Sequence, residues 1–284
     1  MNKKDDKKLL QWHPAFYAGL QIEFEEESHK LEFENEHYLS KKPMQIDVLV
    51  IKKRTDDVIH KNIGRIFRKH NIIEYKSPDD YVSVDDFYKV CGYALFYKSE
   101  AKEIDNIKIT ELTITYVSMG YPEKLVQHLK GILGLGIAKK DEGIYYITKG
   151  KIPMQMIVVS ELSEKENLWL RSLTNKLNDS KTIDKISKVY AKHQKDERYK
   201  AVMNVIVRAN KEHFEEAKDM CEALREIWAE DFEKAKNEGL LENINRTIKS
   251  CKTIGASKEQ MQDVLVANFE LTEAQAQEYM QLYW

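Results

Sequence analysis

The sequence predicts an α/β fold: a mixed β-sheet flanked by helices, followed by an all-α C-terminal region. Three observations carry this expectation. Met44 to Ile51 is apolar on both faces except for Gln45 and Asp47, which suits a central strand covered on both sides. Phe16, Leu20 and Phe24 recur at a spacing of four, the mark of a helix with one apolar stripe. From Ser163 to the C-terminus no strand pattern occurs.

The elements follow in order. Residues 1–8 form a polar tail. The first helix runs from about His13 to Glu26, with Pro14 in its first turn. Lys30 to Tyr38 alternates Leu31 and Phe33 with charges and reads as a half-exposed strand. Asp47, in the central strand, is expected to be buried or to lie at the floor of a cleft. Ile72 to Lys76 is the next strand, ended by Ser77-Pro78. Ser83-Val84-Asp85-Asp86 reads as an N-cap with acids in the first turn. The helix it opens extends to about Lys98, with Phe87, Val90 or Cys91, Ala94 and Leu95 inward. Leu112 to Ser118 is a β-branched strand, Gly120-Tyr121-Pro122 a turn, and Glu123 to Leu133 a short helix. Ile144 to Thr148 and Met154 to Val159 are two more strands.

Beyond them, Leu168, Leu173 and Leu177 suggest one helix, and Val202, Ile206 and Ala209 another. A long helical stretch covers about Glu212 to Lys252, with Gly255 at its end. Ser257 and Thr272, each followed three residues later by Gln, open two short final helices as capping boxes. The expected division is a tail (1–8), an α/β domain (9–165), a helical region (166–243) and a small helical module (244–284). Irregular heptads and the terminal aromatics Tyr279, Tyr283 and Trp284 point to the C-terminal helices as a self-association surface or a small closed core.

Bulk properties narrow the function. Of the 284 residues 32% are charged, above the usual value of roughly 25%, yet the net charge is −2. Any nucleic-acid binding must therefore come from a local patch. Cys91, Cys221 and Cys251 are widely spaced with no CxxC, which argues against a zinc site or a disulfide framework and suits a reducing cytosol. No apolar run approaches the ~20 residues of a membrane helix, and the N-terminus has no secretory pattern. A cytoplasmic protein without membrane partners is expected. The histidines show no HxH or HExxH arrangement, and Gly131 to Gly136 lacks the spacing and lysine of a phosphate-binding loop.

The chemistry centres on Asn71-Ile-Ile-Glu-Tyr-Lys-Ser-Pro78. Strand periodicity puts Glu74 and Lys76 on one face and Tyr75 on the other. A carboxylate and an ammonium on a buried strand are costly unless paired or used. Phosphodiester hydrolysis with a bound cation uses that pair. Asp47 and Glu74, with the Tyr75 backbone carbonyl and Glu23 from the first helix, form an oxygen set suited to Mg²⁺, with Mn²⁺ as a substitute. Lys76 would contact the attacking water or the phosphate. The competing reading of Glu74 and Lys76 is a simple ion pair at a sheet end. Residues 52–70 hold seven positive and two negative side chains, and Lys52, Lys53, Arg65, Arg68 and Lys69 are candidates for the DNA backbone. The alternative is a solvated loop. Lys89 and Tyr93 share a helix face at i, i+4.

The order Glu…Asp…Glu-x-Lys on helix, strand and strand resembles the PD-(D/E)XK nuclease superfamily. The run Asn71 to Asp80, with Val84-Asp-Asp-Phe-Tyr-Lys89 and Gly92-Tyr93, looks like the Rpn family, described as recombination-promoting nucleases or putative transposases. The resemblance covers about residues 9–165. It implies a restriction-endonuclease-like fold and metal-dependent DNA endonuclease activity linked to recombination or mobile elements. Its metal ligands would map to Asp47 and Glu74, its lysine to Lys76 and its helical acid to Glu23, with Glu25 or Glu26 as alternatives. Lys89 and Tyr93 would help position the phosphate. Ile46 stands where the signature has proline. A catalytically weak or inactive DNA-binding protein of the same fold is the rival.

Overall fold

The structure, a computed structural model, describes residues 11–34, 48–101, 103, 105–215, 241, 243–249, 251–252, 257–269 and 271–284. The described residues up to 215 belong to one compact unit and those from 241 onward to a second.

The first unit is built on a seven-stranded mixed sheet. Its strands are β1 (Leu31–Glu34), β2 (Val48–Lys53), β3 (His70–Tyr75), β4 (Leu112–Ser118), β5 (Gly136–Asp141), β6 (Ile144–Thr148) and β7 (Met154–Val158). Their spatial order is β1-β2-β3-β4-β7-β6-β5. The three central strands β3, β4 and β7 run parallel, and an antiparallel arm flanks them on each side. The edge strand β5 is unforeseen because Gly136-Ile-Ala-Lys-Lys-Asp141 has no apolar alternation. It pairs with β6 through a turn in which Gly143 has φ +69 and a Cβ would meet the Val158 carbonyl at 2.6 Å.

Helices are α1 (Trp12–Glu23), α2 (Val84–Ser99), α3 (Glu123–Gly131), α4 (Leu168–Ser172), α5 (Ser180–Lys192), α6 (Glu197–Ala209) and α7 (Lys211–Glu215). On one face of the sheet Val50, Ile72, Ile114, Tyr116, Met154 and Met156 form a core with Phe87, Val90 and Ala94 of α2 and Leu125 and Leu129 of α3. Leu95, read from sequence as inward, is 51% exposed, and Tyr97 is buried instead. On the other face Phe16 of α1 stacks on Tyr75 at 4.1 Å, and Phe24 stacks on Phe67 at 5.5 Å. So α1 runs antiparallel to β3, from its C-terminal end towards its N-terminal end. Gly19 faces Leu170 and Val202, so α4 and α6 pack on α1 and are part of the same unit as the sheet.

The helix expected over Leu168, Leu173 and Leu177 is only the single turn of α4; Leu173 and Leu177 are buried in the connection to α5. The Asp179 side chain caps α5. The tail 1–8, the strand residues 35–38 and 44–47, most of the 212–252 stretch and Gly255 lie outside the described residues. In the second unit α8 (Lys258–Phe269) and α9 (Glu273–Tyr283) surround a core of Ile244, Ile248, Met261, Leu265, Ala276 and Met280. Ser257 with Gln260, and Thr272 with Gln275, form the capping boxes read from sequence. Tyr279, Tyr283 and Trp284 pack against this small core.

Asn71 fixes the register of the central strands. Its fully buried amide donates to the Ile51 and Arg68 carbonyls, both at 2.8 Å, and its oxygen accepts from Arg68 N at 2.8 Å and Thr113 Oγ1 at 2.6 Å. Asn71→Ala leaves these groups on β2, β4 and the preceding loop without partners. Each buried orphan costs about 1–3 kcal/mol, so a loss of about 3 kcal/mol or more in urea unfolding is expected. A loss below about 1 kcal/mol would show that these groups find other partners.

Candidate active site

Glu74 and Lys76 lie where β3 ends. Glu74 is buried on the face that carries Ile72, beside Tyr116 of β4 and Val48 of β2 in the register. Lys76 is held one residue past the strand by its N–H, which donates to the Val117 carbonyl at 2.9 Å. The period-2 reading is right here: Lys76 Nζ is 3.3 Å from Glu74 Oε1, while Tyr75 points to the opposite face.

Helix α2 begins at this point and brings two more charges. Asp86 Oδ1 pairs with Lys76 Nζ at 2.8 Å, and Lys89 Nζ lies 3.7 Å from Glu74 Oε1 and 3.9 Å from Asp86 Oδ1. Asp86 Oδ2 accepts from Ser83 N and Ser83 Oγ, and Ser83 Oγ accepts from Asp86 N, closing a capping box. The cap therefore sets the height of α2 against β3 and places Asp86 and Lys89 over Glu74. Lys89 also lies 5.7 Å above the Tyr93 ring. The result is a charge-balanced cluster of two carboxylates and two ammonium groups, of which only Lys89 is substantially exposed, at 47%. Asp86 is the member the sequence reading did not assign; its signal was the Ser83-x-x-Asp86 box, which looked purely structural.

Burial pushes the Glu74 carboxyl above the ordinary range, and the charges of Lys89 and Lys76 only partly offset it. Burial pulls the other way on Lys76, but the hydrogen bond to Asp86 and the charge of Glu74 outweigh it and hold the ammonium above its usual value. For Asp86 the opposing burial is outweighed by the hydrogen bonds from Lys76 and Ser83, which keep its carboxyl low.

The other sequence candidates divide. Asp47 lies outside the described residues; its chain neighbour Val48 pairs with Glu74. The side chain of Tyr75 is stacked on Phe16, which leaves only its backbone carbonyl for the ligand role. Glu23 is not brought to this cluster. It sits at the far end of α1 on the other face, where Oε2 pairs with Lys61 at 2.6 Å and Oε1 accepts from the N–H groups of Trp169 and Leu170. It pins the 59–64 loop and the start of α4. Glu25 is held by Arg198 and Tyr199. Lys52, Lys53, Arg65, Arg68 and Lys69 flank the opposite end of β3 from Glu74. Lys52 faces His70 across the ladder and is bonded to Glu34. Arg65 pairs with Asp141 and Lys69 with Glu111, each at 3.6 Å.

Among the described residues no group of three His, Cys, Asp or Glu side chains gathers. Glu74 and Asp86 both reach Lys76, so the cluster offers two carboxylates in reach of one point. That point is held by the Lys76 ammonium, so a cation beside Glu74 would need its second carboxylate from a residue other than Asp86.

In metal-free buffer the two acids carry opposite pH signatures. The raised Glu74 carboxyl favours the folded state below the ordinary carboxylate range, and that contribution is lost as pH rises through its folded pKa. The low Asp86 carboxyl contributes above its ordinary range, and its contribution is lost as pH falls through its folded pKa. Glu74→Gln removes a buried charge and keeps the shape. It should melt at or above the wild-type temperature at neutral pH, with the difference closing as pH falls through the carboxylate range. A clearly less stable Gln variant at neutral pH would mean the ion pairs outweigh the burial. Comparison with protein families, curated proteins and solved structures found no match for this chain, so its chemistry is read from these residues alone.

Proposed function

We propose that this chain is a restriction-endonuclease-like, metal-dependent DNA endonuclease of the PD-(D/E)XK type, related to the Rpn family and tied to recombination or mobile elements. The observation that carries the reading is the buried Glu74–Lys76 pair at the carboxyl ends of the parallel strands. Open α/β sheets bind their ligands at that edge. The Glu-x-Lys wording on the third strand of the described sheet, and the helix that follows it, support the same reading.

Glu74 and Asp47 would hold Mg²⁺, with Mn²⁺ as a substitute. When bound, the cation would neutralise phosphate charge and lower the pKa of a water. The work of the chain's own groups follows from their positions. Lys76, held between two carboxylates at this end of the sheet, would stabilise charge that develops on the phosphate oxygens. Asp86 positions Lys76 from the cap of α2. Lys89, the exposed cation of the cluster, meets the incoming backbone.

A second reading, a non-cleaving DNA-binding protein of this fold, draws on one observation. Every charge in the cluster already has a partner, so the cluster is stable as a staple between β3 and α2.

Incubation with supercoiled plasmid and Mg²⁺ or Mn²⁺ separates the two. The wild type should nick, and Asp47→Ala, Glu74→Ala and Lys76→Ala should each lose about a hundredfold or more. Equal nicking by wild type and variants would sink the site. Retained DNA binding without cleavage would favour the second reading. Independently of activity, Mg²⁺ should raise the melting temperature of the wild type and not of Glu74→Gln.

A further inference from the structure

A groove of about 710 Å³ lies at the amino ends of β3, β4 and β7, the opposite edge of the sheet from Glu74. Lys53, Arg65, Arg68 and Lys69 line it, against the acids Asp56 and Glu111. Two of the four cations are partly neutralised, Lys69 by Glu111 and Arg65 by Asp141. Among the described residues Lys53 and Arg68 have no carboxylate within 4.0 Å, and Arg68 is exposed. The backbone beneath is hydrogen-bonded to the sheet: Arg68 is tied to Asn71 through both its N–H and its carbonyl, and Lys53 N–H donates to the Lys69 carbonyl at 2.9 Å. One wall is Tyr146 of β6, a half-buried ring with Lys140 Nζ 5.6 Å above it and Arg65 close enough to act on its hydroxyl.

We infer that this groove is a second nucleic-acid contact, a grip for the sugar–phosphate backbone remote from the Glu74 cluster. The inference rests on the reading of the chain as a protein that acts on nucleic acid. Its ligand chemistry is set by what lines it. Two cations with no carboxylate within 4.0 Å among the described residues, beside a ring that carries Lys140, suit phosphates and the sugars or bases between them. Apolar side chains such as Ile66, Phe67 and Met154 also line the groove, and the cations stand beside them.

The two contacts are well separated. His70 to Glu74 is four residue steps along β3, roughly 13 Å at the usual rise, before any path around the edge is counted. That distance is about four phosphates along one strand, at about 3.4 Å each. A substrate that engages both must be longer than the segment at the catalytic edge. The groove thus gives affinity and register, while the Glu74 cluster does the chemistry.

The test is fluorescence anisotropy on the full chain in EDTA, with one 30-nucleotide sequence offered as single strand and as duplex, over a series of salt concentrations. Binding is read without cleavage, so the outcome is independent of the nuclease reading. Lys53→Glu/Arg68→Glu should weaken binding roughly tenfold or more and flatten the salt slope by roughly two, since each lost phosphate contact removes about 0.9 from it. Tyr146→Ala should weaken the single strand more than the duplex if bases stack on the ring. Circular dichroism of the charge-reversed variant should be unchanged, because Arg68 is exposed and neither side chain has a carboxylate within 4.0 Å among the described residues. Unchanged affinity and salt slope for the charge-reversed variant, with either strand form, would overturn the proposal. Loss of binding with plasmid nicking also lost supports the groove; loss of nicking in Glu74→Ala alone, with anisotropy intact, separates catalysis from grip.

Discussion

The buried amide of Asn71 is the constraint on which the sheet depends. It is the first interior residue of β3, it has no solvent contact, and its side chain satisfies groups on β2, on β4 and on the loop that leads in. A strand that slips by one residue turns every side chain to the other face. Here such a slip would carry Glu74 into the layer of Tyr75 and Phe16 and would take Ile72 out of the core with Val90 and Ile114. The Asn71 bonds are directional and buried, so they reject that slip more sharply than the apolar residues could. The Glu74 carboxylate owes its face, and therefore its neighbours, to an amide three residues earlier.

The charge cluster shows the same logic with a different cost. Glu74 is placed where burial works against its charge, and the lysines do not fully restore it. A site that only had to be stable would use an apolar residue there, because a buried ion pair seldom outperforms well-packed hydrophobes. The capping box works in the opposite sense. Asp86 is stabilised by Ser83 and Lys76 together, so the start of α2 is firm and the cluster is held from the helix side.

Much of the central sheet was legible in the sequence. The apolar run ending at Ile51, the Asn71–Tyr75 strand, the Ser83 cap and both C-terminal capping boxes carry local signals that the structure repeats. What escaped lacked such signals. β5 pairs through its backbone with no side-chain alternation, and α5, whose apolar positions Ile183, Ile186 and Tyr190 are spaced three and four apart, is interrupted by polar residues that hid the stripe. Glu74 and Lys76 were legible because period 2 alone puts them together. Asp86 and Lys89 were not, since their proximity depends on how α2 docks on β3. Glu23 was misplaced for the same reason: helix periodicity gives the stripe but not the direction in which the helix lies across the sheet.

The position of the basic stretch follows from the sheet topology. β2 and β3 are antiparallel neighbours. A connection between such strands joins the end of one to the start of the next, so it emerges at one edge of the sheet. The start of β2 and the end of β3 meet at the other edge, which is where Val48 faces Glu74. Residues 54–69 therefore cannot crown the Glu74 cluster, however suggestive their place in the sequence between Asp47 and Glu74. Charge that lies between two site residues in sequence is evidence of a local patch and not of proximity to the site. A fold of this kind that acts on a polyanion must then either grip it at both edges or leave the charge of this connection without use. The backbone bonds of Arg68 to Asn71 fix where this connection meets β3, and among the described residues Lys53 and Arg68 have no carboxylate within 4.0 Å.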